Sequence, residues 1–565
     1  MKVSNAVLAA LAVTLFAGAA QSQAQAAENP IPTVVHKDGR YALMVDNAPY
    51  LVLAAQTRNS SAWPDVLPKL WNTLEYDHVN TVEIPIYWYQ IEPKPGQFDY
   101  SLVDMLLSQA REHHVHLVLL WFATWKNGSQ HYMPDWMKLD PARYFLSQDR
   151  NGEAVDSPSP LCAASLEEDK KAFAAVMGHL KEADPQRTVI IMQVENEAGN
   201  WKSVRDFSPV AQKVFDAPVP PEILKAMNVK TTAPSPNWLQ AFGPNADEYF
   251  NAWATAKYVG DVAAAGKAVY PLPMYANAAL RDPLEPGAPG EPGATNAYES
   301  GGPTDNVLDI WKAAAPALDF LAPDNYQTDP EKYVKVMELY SRADNPLYVP
   351  ETGRPYNARY FFAVLGLQGI GFSPSGGNTE GEFKPGDTSK ARDEFLEPWA
   401  QNYRLIGPMQ REIARLNFEG KLQAVAEKLA EPTQTLHFGT WNAVVSFGAS
   451  GRGAATGSTS PAGRALVAQL GENQFLVTAI DCRVDFFPAG TEQQQKSQHI
   501  VDGTGQTPSA LIDGKWQHRE FLQVEEGTYE NGVFKLLRVQ DGDETDHGLA
   551  FGEDPVVLRV SLTTY

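Results

Sequence analysis

Eight short runs rich in Val, Ile, Leu and aromatic residues recur between residues 51 and 373, and stretches with the apolar spacing of helices separate many of them. The runs are Leu51–Ala55, Val79–Pro85, His116–Trp121, Thr188–Val194, Leu272–Asn277, Phe320–Pro323, Leu347–Pro350 and Gly369–Ser373. Helical patterns cover Leu102–His113, Leu166–Lys181, Ala246–Ala268, Asn306–Ala315, Glu331–Arg342 and finally Asp393–Leu416. Strands that alternate with helices form a parallel sheet, because each crossover must return the chain to the same edge. Eight such strands predict a closed (β/α)8 TIM barrel. A doubly wound sheet would place a glycine-rich phosphate loop after its first strand. That position instead reads Gln56-Thr57-Arg58-Asn59-Ser60-Ser61.

Three long insertions, Lys126–Ser165, Lys202–Asn245 and Arg281–Thr304, all follow strands. They are therefore expected on the C-terminal face of the barrel, where they would wall a cleft. Before the first run, His36–Leu53 reads as a hairpin leading into the barrel. Past Glu419 helical spacing fades, and β-branched or aromatic runs appear at Thr440–Phe447, Gln474–Ala479, Val533–Val539 and Val556–Leu562, with a turn at Glu530-Asn531-Gly532. The expected division is a barrel over 30–425 and an all-β accessory domain over 426–565.

The N-terminus has the form of a secretory signal. Lys2 is its sole charge, Ala6–Ala20 is apolar, and Ala24-Gln25-Ala26 is a small-x-small cleavage site, so residues 1–26 are expected to be removed on export to a periplasm or the exterior. No later apolar stretch reaches transmembrane length, which argues against membrane insertion. The formal charge of −22 disfavours nucleic acid and anionic membranes as partners but suits a neutral sugar. Two cysteines, Cys162 and Cys482, fall in different expected domains, and sequence alone does not decide whether they pair. Oligomeric state is likewise open.

The chemistry is concentrated at strand ends. Ile190-Ile191-Met192-Gln193-Val194-Glu195-Asn196-Glu197-Ala198-Gly199-Asn200 is an apolar run that stops abruptly in carboxylates and amides, and Pro346-Leu347-Tyr348-Val349-Pro350-Glu351-Thr352 repeats the pattern. Glu197 and Glu351 would thus stand at the tips of the fourth and seventh strands. Two carboxyls across a barrel axis can cleave a glycosidic bond, one as acid/base and one as nucleophile. Asn196 can bond a sugar's 2-hydroxyl, and the phenol of Tyr326, in Asp324-Asn325-Tyr326, can hold the nucleophile. Trp88, Trp125 and Asn127, at the ends of the second and third strands, are expected to contact substrate, the indoles by stacking on sugar faces. Trp136, Trp201 and Trp238 can stack or pack. Asp324 can equally cap the next helix, and Glu195 sits deeper as a buried structural carboxylate.

Gln193-Val194-Glu195-Asn196-Glu197-Ala198-Gly199 resembles the Gln-x-Glu-Asn-Glu-Tyr-Gly signature of glycoside hydrolase family 35 β-galactosidases. Asn80–Trp88, Glu92–Tyr100 and Met133-Pro134-Asp135-Trp136-Met137 resemble other segments of that family. The resemblance runs through the barrel, and the tail is similar to the β domain of a bacterial branch, some of whose members act on xyloglucan side chains. It implies Glu197 as acid/base, Glu351 as nucleophile, Asn196 as 2-hydroxyl ligand and Tyr326 as the nucleophile's partner, with no cofactor and no metal. Three departures stand out: Ala198 replaces Tyr, Ile91 replaces His before Glu-Pro, and the third strand lacks Arg-Pro-Gly-Pro-Tyr. Family 42 galactosidases share the Glu-Pro-x-x-Gly-x-Phe/Tyr-Asp run found here at Glu92–Asp99. Neither His-Glu-x-x-His nor Gly-x-Ser-x-Gly occurs. The expectation is a retaining exo-β-glycosidase, a β-galactosidase by resemblance. A β-glucosidase, β-xylosidase, α-L-arabinosidase or non-catalytic glycan-binding barrel remains an alternative.

Overall fold

The computed structural model describes residues 29–375, 389–429, 431–448, 455–458, 460–491, 493–497, 506–540, 542–554 and 556–565. The expected signal segment lies outside them. Eight parallel strands close into a barrel: β1 (Val52–Gln56), β2 (Thr81–Tyr87), β3 (His116–Lys126), β4 (Val189–Asn196), β5 (Met274–Ala279), β6 (Phe320–Asn325), β7 (Tyr348–Thr352) and β8 (Gly371–Pro374). Each coincides with one of the eight apolar runs. Strands covered on both faces have no polar side to alternate with, so they read as continuous apolar stretches.

The interior of the barrel is filled. Tyr275 stacks on Phe320 at 5.2 Å between ring centroids, and Tyr348 meets both rings edge-on at 5.5 and 5.9 Å. Glu83 accepts a hydrogen bond from the Tyr348 hydroxyl in this layer, and both side chains are fully buried. Burial raises the Glu83 carboxyl well above the usual range. The expected entry hairpin is a three-stranded antiparallel meander (Thr33–Lys37, Arg40–Val45, Ala48–Tyr50). Its Tyr50 hydroxyl donates to the Asn80 carbonyl at 3.0 Å, beside the start of β2.

The helix Ala246–Val269 is buried nearly all round, from Phe250 and Ala252 to Tyr258, Val262 and Gly266, and packs against the helix Ala163–Ala183. The expected final helix is broken: Ser389–Ile406 and Gln410–Phe418 are separated by a single 3-10 turn at Gly407–Met409, where Pro408 cannot continue the helix.

The C-terminal part is antiparallel throughout. One sheet, eight-stranded among the described residues, runs in the order Leu422–Ala426, Arg464–Gly471, Gln474–Ile480, Val556–Thr564, Lys515–Glu530, Gln506–Ile512 and Gln493–Ser497, with Val533–Gln540 paired to Lys515–Glu530. A four-stranded sheet contains Thr433–Phe438, Trp441–Phe447, Cys482–Pro488 and Leu549–Phe551. Phe438, Phe475 and Phe486 lie in the core between them. The strand Leu422–Ala426 straddles the expected boundary at 425, and it pairs into the β region. Leu466, Ala468 and Leu476 join the barrel's own hydrophobic core, so the two regions share packed surface. Cys162 and Cys482 are both buried and free. Among the described residues no helix is long and apolar enough to cross a membrane.

Candidate active site

The C-terminal end of β4 departs from strand geometry. Glu195 and Glu197 both have left-handed backbones, φ 61° and 44°, which breaks the two-residue alternation of side chains. Neighbouring residues can then serve one pocket: both Asn196 and Glu197 turn toward Glu351. Non-glycine residues in this region are strained, and such strain collects at functional sites.

Glu351, at the tip of β7, is held by three donors. Gln56 Nε2 reaches Oε1 at 2.8 Å, Asn196 Nδ2 reaches the same oxygen at 3.3 Å, and the Tyr326 hydroxyl reaches Oε2 at 3.0 Å. The orientation of Asn196 follows from Lys126, whose Nζ can only donate and takes Asn196 Oδ1 at 2.7 Å. Burial, with Glu351 next, keeps the Tyr326 phenol protonated, well above its ordinary range. Tyr326 is nonetheless 45% exposed, so one residue both anchors Glu351 and borders the cleft.

Glu197 is buried across from it. Asn127 Nδ2 donates to Glu197 Oε2 at 2.5 Å, and Asn277 Oδ1 accepts from the Glu197 backbone N–H at 3.0 Å. Burial first, and the charge of Glu351 second, push the Glu197 carboxyl up to about 7, against the opposing pull of Lys126 and of the neighbouring Asp324 carboxyl. One carboxylate oxygen from each of Glu197, Glu351 and Asp324 lies within 4.8 Å of the others. A gap of about 5 Å between acid and nucleophile is the spacing of retaining glycosidases, which need no room for a water between them.

Asn196, Asn127 and Tyr326 therefore all stand at the two glutamates. Trp88 and Trp125 do not contact the cleft as expected: both are wholly buried. The Trp88 indole N–H donates to Glu92 Oε2 at 2.9 Å, and Trp125 packs edge-on against Tyr258 at 4.7 Å. Trp125 keeps the side of Trp121, four residues earlier, whose indole donates to Asp169 of the helix Ala163–Ala183 at 2.9 Å, and so it turns into the helix layer. Lys126, next along, faces the pocket, past a bulge between the pairing of Trp121 with Val194 and that of Lys126 with Asn196. Trp238 is also buried, against Phe250 and Trp253. Besides Tyr326, the exposed aromatics after barrel strands, among the described residues, are Trp63 and Tyr356.

Glu195 faces away from the pair. Its Oε2 accepts from the Trp125 backbone N–H at 2.7 Å, and burial beside Asp169 raises its carboxyl well above the usual range. Sequence reasoning passed over Gln56, Lys126, Asn277 and Glu299, and it took Asp324 only as a possible cap. Gln56 and Asn277 carried a signal, since each is a polar residue ending an apolar run. Glu299 carried none, because it lies in the third insertion, on a segment without regular structure. It is 2% exposed and neither carboxyl oxygen has a partner. Glycines make its room: a Cβ on Gly128 would stand 2.2 Å from Glu299 Oε1, and one on Gly199 2.9 Å from its Cγ. Burial, then Glu197, raise this carboxyl well above its usual range.

Comparison with known proteins places this site in context. The sequence model of the Glyco_hydro_42 family, described as Beta-galactosidase, matches residues 60–265, which include β2, β3, β4 and Glu197. A Domain of unknown function (DUF5597) matches residues 399–552. No curated protein matches the chain. Solved structures similar to it include a β-galactosidase from Bacillus circulans sp. alkalophilus, 11% identical with a TM-score of 0.46, covering 64% of this chain and 57% of that one. A catalytic mutant of Gan42B, a GH42 β-galactosidase from G. stearothermophilus, is 13% identical with a TM-score of 0.47, covering 65% and 58%. The exo-β-1,4-mannosidase Op5Man5 from Opitutaceae bacterium strain TAV5 is 13% identical with a TM-score of 0.40, covering 67% and 63%. This chain thus spans less than two thirds of the length of these three. The resemblance to family 35 is corrected: the family model that matches is that of family 42, whose Glu-Pro-x-x-Gly-x-Phe-Asp run the chain carries at Glu92–Asp99. The matched residues 60–265 lie within the barrel, so what the chain is similar to there is a β-galactosidase model of family 42.

Proposed function

We propose that this protein is a retaining exo-β-glycosidase that releases terminal β-galactose, with Glu351 as nucleophile and Glu197 as acid/base. The observation that carries this reading is the asymmetry of the pair. Glu351 accepts three hydrogen bonds, while Glu197, within 4.8 Å, is raised to about 7 and so keeps a proton to give near neutral pH. In the first step a Glu351 oxygen bonds to the anomeric carbon as the carbon–oxygen bond to the leaving group breaks, and the Glu197 proton passes to that departing oxygen. In the second step Glu197 takes a proton from water, whose oxygen attacks the anomeric carbon and expels Glu351 as a free carboxylate. Asn196, beside the nucleophile, is placed to bond the 2-hydroxyl, and the exposed face of Tyr326 to meet the sugar ring.

Terminal galactose on plant polysaccharides such as xyloglucan is the proposed target, and export to a periplasm or the exterior, suggested by residues 1–26, would bring the enzyme to it. A panel of nitrophenyl β-galactoside, β-glucoside, β-xyloside and α-L-arabinoside tests the sugar. For the mechanism, Glu351→Gly should lose turnover, and azide should restore it with a glycosyl azide of inverted configuration as product. Near-normal hydrolysis by Glu351→Gly without azide would sink the assignment. Binding without turnover on every glycoside would favour a glycan-binding barrel.

A further inference from the structure

Asn277 determines how Asp324 must be read. The backbone N–H of Glu197 can only donate, so the atom it meets at 3.0 Å is an acceptor, Asn277 Oδ1. The other end of the amide, Nδ2, therefore donates, and it reaches Asp324 Oδ2 at 2.6 Å. A proton held by Asp324 must then sit on Oδ1. That oxygen is buried and has no hydrogen-bond partner, while the Asp324 carboxyl stands within 4.8 Å of oxygens of both Glu197 and Glu351.

Three carboxyls this close cannot all be charged. The double displacement proposed above, on which this inference rests, needs Glu351 ionised. A second charge on Asp324 would meet one nearby buried cation, Lys126, whose Nζ is engaged by Asn196. The groups facing the cluster are Glu351 from β7, Lys126 from β3, Glu299 from the loop after β5, Tyr275 from β5, Tyr326 at the end of β6, and Tyr340. We propose that Asp324 stays a neutral acid throughout the cycle and is a positioning residue: its Oδ1–H donates to Glu197, orienting that carboxyl and stabilising its charged form once the proton has left. Burial beside Glu351 and Glu197, which holds the Asp324 carboxyl well above its usual range, agrees with this role.

Asparagine is the test, because its amide oxygen can accept from Asn277 while its N–H takes the place of Oδ1–H. kcat/KM against pH is measured on an aryl β-glycoside for the native enzyme, Asp324→Asn and Asp324→Ala. The native alkaline limb should fall near pH 7, as Glu197 loses its proton. Asp324→Asn should stay within about tenfold of native activity with its limb unmoved. Asp324→Ala should lose on the order of 100-fold, and its limb should move up by about half a unit because ionised Glu197 has lost a donor. A downward shift in Asp324→Asn, or damage equal to that of Asp324→Ala, would show that the group works ionised and would overturn the proposal. Native profiles in both variants would overturn it as well. Should Asp324→Ala not fold, the Asp324→Asn profile alone decides. Azide rescue of Glu351→Gly, run in parallel, separates the two readings: rescue together with a failed Asp324→Asn rejects this inference alone.

Discussion

Buried carboxylates behave differently at the two ends of this chain. In the C-terminal β region Glu427 accepts backbone N–H groups from Ser458, Ala462 and Gly463 at 2.8 to 3.1 Å, and Asp485 pairs with Arg519 at 3.1 Å. At the barrel's C-terminal end, Glu195 Oε1, Asp324 Oδ1 and both oxygens of Glu299 have no partner at all. A buried polar group left without a hydrogen bond costs stability, so an accumulation in one place calls for a reason. In the β region the fold supplies donors, and the carboxylates tie loops down. Around Glu197 it supplies them unevenly: Glu351 receives three, while Asp324 Oδ1 and both Glu299 oxygens receive none, and burial raises those two carboxyls well above their usual range. The first arrangement serves stability, and the second suits the acid–base chemistry proposed for the pair.

The contrast can be broken or sharpened by mutation. Glu427→Ala would strand three backbone donors and should lower unfolding free energy by about 2–4 kcal/mol without changing kcat. A denaturant titration beside an activity assay checks this, and lost activity in folded protein would erase the distinction. Tyr326→Phe removes one of three donors from Glu351 and keeps the ring, so kcat should fall by about 10- to 100-fold with little change in stability. A fall in melting temperature at constant kcat would place Tyr326 on the structural side. Glu299→Gln should have the smallest effect. The folded protein holds the Glu299 proton well above 4.5, whereas the unfolded chain releases it near that value. Native Glu299 therefore costs nothing below about pH 4.5 and increasingly more as pH rises. The variant should melt roughly 1–3 °C higher than native at pH 8 and no higher at pH 4.5. A pH-independent difference would remove Glu299 from the proton-holding group.

The barrel was legible because strands buried on both faces leave unbroken apolar runs, and the glutamate pair because a carboxylate ending such a run has few structural uses. Parity failed where the backbone is irregular. Alternation would send the neighbours Asn196 and Glu197 to opposite faces, yet both turn toward Glu351. Trp125 is the reverse case: its place at a strand tip suggests the cleft, but it keeps the side of Trp121 and faces the helix layer. Several strands of the β region also escaped notice. Arg464–Gly471 mixes Ala, Gln and Gly with few β-branched residues, and it is held as a strand by its neighbours on both sides rather than by propensity. Glu299 could not be found from sequence because Gly128, Gly199 and Glu197 approach it from distant parts of the chain.

The packed layer of Tyr275, Phe320, Tyr348 and Glu83 beneath the two glutamates has a kinetic consequence. All four side chains are fully buried, so this layer offers solvent no route downward through the barrel. Protons and sugar must then share one doorway, and a bound sugar shuts the carboxyl cluster off from bulk water. The number of protons in the site is set at the moment of binding and stays fixed through the first displacement, until the leaving group departs and water enters. Acidity of the medium should accordingly govern which enzyme molecules can capture substrate far more than how fast a captured one turns over.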